Sequence, residues 1–100
     1  MKIVAITTDL MDRSRISSAI ADVEFARDIA ACADADVVVI DLARDATAVA
    51  AARSSAPTAR IVAYGPHVDT DVMEQAVRDG ADVVLPRSRF FQDPAATLSS

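Results

Sequence analysis

The sequence predicts one α/β domain built on a five-stranded parallel sheet. Three observations carry this. Short apolar runs alternate with helix-period segments along the whole chain, the pattern of strands and helices in alternating layers. Val37-Val38-Val39-Ile40 is four β-branched residues in a row with no polar alternation, which belongs at the centre of a parallel sheet covered on both faces. And 100 residues suit a single domain, here residues 1–100.

Each element follows from local pattern. Ile3-Val4-Ala5-Ile6 is a strand, and Ile16, Ala19 and Ile20 at i, i+3, i+4 mark the helix after it. Val23-Glu24-Phe25 is a short second strand, followed by a helix of two turns with Ile29, Cys32 and Ala33 on one face. Asp41 ends the third strand; the alanine-rich stretch Asp45 to Ser55 is a helix by propensity, stopped by Pro57. Ile61-Val62-Ala63-Tyr64 is the fourth strand. The next helix puts Val68, Val72, Ala76 and Val77 on one face, is capped by Asp69 or Thr70, pairs Glu74 with Arg78, and closes at Gly80. Val83-Val84-Leu85 is the fifth strand. Asp93-Pro94 is an N-cap and first-turn signature for a stub of helix running into Leu98.

Composition excludes several functions. Of the 52% hydrophobic residues, 21 are alanine, leaving one modest core. The net charge of −5 disfavours nucleic acid and anionic membrane as partners. A single cysteine, Cys32, forms no internal disulfide and reads as a small core residue; with no signal peptide and no apolar run near 18 residues, a reduced, cytoplasmic protein is expected. Only Gly65 and Gly80 are present, so no glycine-rich phosphate loop is available. One His and one Cys do not make a structural zinc site, and no G-x-S-x-G elbow marks a nucleophile.

Two segments carry a family resemblance. Asp36-Val37-Val38-Val39-Ile40-Asp41-Leu42 resembles the strand of bacterial response-regulator receiver domains that ends in the phosphoacceptor, and Ala76-Val77-Arg78-Asp79-Gly80-Ala81-Asp82-Val83-Val84-Leu85 resembles their passage into the fifth strand. The resemblance spans nearly the whole chain. It implies a flavodoxin-like, doubly wound sheet in the order 2-1-3-4-5, here with a shortened last helix. A receiver's chemistry also needs an acidic pair after strand 1 that holds magnesium, a Ser or Thr after strand 4 and a Lys after strand 5. Asp41 matches the phosphoacceptor. The acidic pair falls on neutral Thr7 and Thr8, with Asp9 next to them; the hydroxyl position falls on or beside Gly65; the lysine position falls on Arg87, with Ser88 where the family has proline. Lys2, the one lysine, lies at the opposite edge of the sheet.

The chain therefore resembles a degenerate receiver, or pseudo-receiver: a bacterial, non-enzymatic signalling or scaffolding module that works by protein contact, as a homodimer or docked on a partner, with no catalytic residues and no cofactor. The expected contact surface comprises the helix after strand 4, strand 5, Phe90 and Phe91, since adjacent helical residues point about 100° apart and both rings do not enter one pocket. Against that stands the simpler reading that Phe90, Phe91 and Leu98 close the core. Two alternatives stay open: an atypical receiver phosphorylated on Asp41, with Asp9 helping to hold magnesium and Arg87 in place of lysine, or a sensor of small anions using Tyr64, His67, Arg87 and Arg89. Asp41 also reads as a strand-ending residue that satisfies loop N–H groups, and Asp69 and Asp71 as helix-start residues rather than a metal cluster with His67.

Overall fold

A computed structural model describes residues 1–66 and 70–99, with the side chain of Ser99 outside the description. The expectations placed on His67, Val68 and Asp69 therefore lie outside the described residues. Five strands, β1 (Ile3–Ile6), β2 (Glu24–Phe25), β3 (Val37–Asp41), β4 (Arg60–Gly65) and β5 (Val83–Pro86), pair in parallel in the order 2-1-3-4-5. The flavodoxin-like topology expected from the sequence is the one observed.

Strand alternation divides the core between two faces. Val4, Ile6, Val38, Ile40, Ile61 and Ala63 point to the face covered by the 3-10 turn Ile29–Cys32, helix α2 (Ala48–Ser55) and α3 (Thr70–Arg78). Ala5, Val37, Val39, Val62 and Tyr64 point to the other, covered by α1 (Leu10–Ala19), α4 (Arg87–Phe90) and α5 (Pro94–Ser99). β3 is buried at all five positions, as its uninterrupted apolar run requires.

Several elements differ from expectation for local reasons. The second helix is only one 3-10 turn, with Asp28 accepting from Ala30 N at its start. Helix α2 begins at Ala48 rather than Asp45, because the Asp45 carboxylate accepts from the Thr47 amide and hydroxyl at 3.0 and 2.6 Å, a side-chain turn that competes with helix. On α3 the apolar stripe centres on Ala76, with Val72 and Met73 beside it; Val77 is turned a further 100° and is 58% exposed, outside the face assigned to it. Arg78 donates to Gln75 at 2.9 Å and forms no ion pair with Glu74. Ala19 is likewise solvent-exposed. Gly80 closes the helix at φ +113°, where a Cβ would also crowd Arg53.

Past β5, the chain makes one turn of helix and then the stub. Asp93 caps α5 by accepting from Ala96 N at 3.1 Å, and Leu98 is buried against the sheet. The Phe90 ring is fully buried and stacks on Tyr64 (centroids 4.7 Å apart, planes 8° apart). Phe91 is half-buried and packs edge-on against both rings. Placing Phe90 on an interaction surface is thus corrected: Phe91 follows the single turn of α4 as its C-cap, so the two rings fold over one another instead of diverging.

Candidate functional site

The carboxyl ends of β1, β3 and β4 meet the start of α4 around a buried polar cluster. Asp41, at the end of β3, is 6% exposed. One of its oxygens accepts from the Ala43 amide at 3.0 Å and the other from the Thr7 hydroxyl at 3.2 Å. Burial pushes the Asp41 carboxyl above its ordinary value, against the pull of those two donors; the nearby Asp12 charge adds to the rise and Arg87 opposes it.

The second carboxylate is one that sequence reasoning missed. Asp12 is completely buried in the first turn of α1. It receives both guanidinium nitrogens of Arg87, Nη1 on Oδ2 at 3.0 Å and Nη2 on Oδ1, and the Tyr64 hydroxyl on Oδ2 at 3.0 Å. Its signal in the sequence was Asp12, Ile16, Ile20 at i, i+4, i+8, an aspartate inside the apolar stripe of a helix, where an unpaired charge is not tolerated. Tyr64 is buried beneath it, and burial drives its phenol far above the usual range, so the hydroxyl stays protonated and donates. The Arg87 guanidinium, raised chiefly by its hydrogen bonds to Asp12, also lies over the rings of Tyr64 and Phe91 at 5.8 and 5.1 Å.

The structure distributes the expected site residues unevenly. Asp41 and Thr7 are joined directly. Arg87 lies in the same cluster but is held by Asp12. Thr8 is exposed. Asp9 is also exposed and does not reach inward: its carboxylate caps α1 by accepting from the Asp12 amide at 3.0 Å. Gly65 pairs with Pro86 in the sheet, and a Cβ there would meet the Leu42 Cβ at 3.2 Å, so the close approach of β3 disfavours a hydroxyl-bearing side chain. The nearest buried hydroxyl on β4 is that of Tyr64, one residue earlier. Tyr64 and Arg87 are in this way committed to Asp12 and are not a free anion-binding pair with exposed Arg89.

Magnesium takes an octahedron of oxygens with one or two carboxylates. Both oxygens of Asp12 already face a guanidinium, Asp9 is turned to the helix start, and no group of three or more His, Cys, Asp or Glu converges among the described residues.

A pH test follows from Asp41. Its folded-state value lies above that of the unfolded chain, so ionisation opposes folding: stability falls as pH rises through the ordinary aspartate value and levels off once pH passes the raised one. Asp41→Asn is expected to be more stable than the parent at neutral pH, with the gap closing towards acid. Urea unfolding midpoints across pH check this; a variant less stable than the parent at neutral pH contradicts it.

Comparison with known proteins agrees with the fold. No protein-family model matches the sequence, and no curated protein does. Among solved structures, a response regulator from Burkholderia pseudomallei superposes with TM-score 0.81 at 18% identity over 99% of this chain, which spans 66% of that one. A response regulator from Thermotoga maritima gives 0.75 at 14% over 100% of this chain and 99% of its own. A CheY-like protein, tadZ, from Pseudomonas aeruginosa gives 0.75 at 20%, covering 98% and 90%. The chain has the fold of response-regulator receiver domains. No helix among the described residues is long and apolar enough to cross a membrane.

Proposed function

We propose that the chain is a receiver-like signalling or scaffolding module that acts through protein contacts, in the cytoplasm, without enzymatic activity and without magnesium. The observation that carries this reading is the closed network in which Arg87 and Tyr64 saturate Asp12. In a phosphorylated receiver, a basic group must be available to the incoming phosphoryl oxygens. Here the arginine at the lysine position, Arg87, is a planar fork already matched to a carboxylate, a poor substitute for a mobile ammonium. The Burkholderia neighbour was solved with a phosphorylated aspartic acid and a calcium ion. The present cluster has its cation built in. Partner contact, with a second copy or another protein, is expected through the receiver surface beside β5, where half-buried Phe91 replaces Phe90 as the available aromatic.

The direct test is intact-mass spectrometry after incubation with acetyl phosphate and magnesium, beside Asp41→Asn. The parent protein is expected to keep its mass. A single phosphate adduct lost in the variant would overturn this reading in favour of an atypical receiver.

A further inference from the structure

The structure's arginines fall into two kinds. Arg53 is consumed at the amino edge of the sheet, donating to the carbonyls of Gly80, Pro57 and Ala59 and to Asp82. Arg87 is consumed by Asp12. Arg27 and Arg44, by contrast, enter no ion pair among the described residues, yet both line one cavity of about 470 Å³ together with Thr7, Thr8 and Asp45. The cavity lies between the loops that leave β1, β2 and β3, at the carboxyl edge where strand order reverses, the position at which open α/β sheets bind ligands. Its volume is within the range of small-molecule sites.

Its charge is opposite to that of the chain. The lining carries two guanidinium groups against one carboxylate, and Asp45 is already engaged by the Thr47 amide and hydroxyl. A smaller cavity of about 180 Å³ shares Thr7, Thr8 and Arg27 with it and adds Arg13, whose guanidinium sits 4.8 Å from the Phe25 ring centroid. Two cations thus face the larger cleft, and a third lines the smaller one beside it, in a protein of net charge −5. Thr7 spends its hydroxyl on Asp41, which leaves exposed Thr8 as the neutral donor.

The geometry points to a binding site for a small dianion, held between the guanidinium forks of Arg27 and Arg44 and the Thr8 hydroxyl. Two planar forks match the paired oxygens of a phosphate monoester or of a dicarboxylate equally well. This cleft adjoins the Asp41 cluster through Thr7 and uses neither Arg87 nor Tyr64, the residues tied to Asp12.

Amide chemical shifts of the ¹⁵N-labelled chain would be followed during titration with ribose 5-phosphate and, separately, with succinate. Saturable shifts at Thr8, Ala26, Arg27, Arg44 and Asp45 with either probe support the site, and the probe that binds identifies the ligand class. Arg27→Ala and Arg44→Ala are each expected to weaken binding roughly tenfold or more, the loss of one charge-assisted hydrogen-bonding group, and exposed Arg89→Ala to leave it unchanged. Both lining arginines are exposed, so the variants should keep the parent's unfolding midpoint. No saturation with either probe by about 10 mM, or binding that persists in the R27A/R44A double variant, would overturn the proposal. Neither probe donates a phosphoryl group to a carboxylate, so this result stands apart from the acetyl phosphate experiment.

Discussion

Phe90→Ala is expected to lower the unfolding free energy by about 3–5 kcal/mol, the range for deleting a buried aromatic ring. The ring is fully buried, lies flat on Tyr64 and meets Phe91 edge-on at 4.9 Å. It is also the one buried side chain of α4, whose other inward contact is the Arg87 guanidinium on Asp12 and over Tyr64. Domains of this size have about 5–15 kcal/mol in total, and the melting temperature should fall by about 4–8 °C for each kcal/mol. Half-buried Phe91 sets the comparison, since Phe91→Ala should lose distinctly less. Urea unfolding of both variants decides it: equal losses would mean that the stack on Tyr64 contributes little and that Phe90 is not the anchor of α4.

Arg87→Ala is the second large effect, about 2–3 kcal/mol. Breaking a buried ion pair usually costs about 3–5 kcal/mol because the remaining charge is stranded, but the Arg87 side chain is 41% exposed and solvent screens part of that loss. Asp12, at 0%, would keep only the Tyr64 hydroxyl as a partner. Arg87→Lys should recover part of the loss, since a single ammonium does not reach both carboxylate oxygens in fork geometry. Urea unfolding of both variants checks this: an Arg87→Lys variant no more stable than Arg87→Ala would assign the effect to lost stacking over Tyr64 and Phe91 instead.

What was legible in the sequence is what depends on short-range pattern. The β-branched run of β3, the alternation of units and the Asp93-Pro94 stub each appear where expected because propensity and burial agree there. The strand order came through the family resemblance and is the observed one. The errors lie where a side chain decided the backbone or where distant residues meet. Asp45 shortened α2 by capturing Thr47, an interaction two residues long that helix propensity ignores. Phe90 and Phe91 were separated on paper by helical geometry that ends within the same turn. At the site, Asp41 and Thr7 could be placed from strand ends, but the partner of Arg87 could not. The sequence puts Asp12 inside the apolar stripe of α1, but only the tertiary fold brings it beneath an arginine 75 positions away.

That separation has a consequence for the order of assembly. At the usual elongation rate of about 5–20 residues per second, Asp12 leaves the ribosome roughly 4–15 s before the guanidinium that neutralises it. Helix α1 has time to form in that interval, but it has no favourable way to seat its charged face on the sheet. The nascent chain should therefore keep this side open and dock α1 only when the segment carrying Arg87 and Phe90 arrives, which makes one ion pair a checkpoint on finishing the fold.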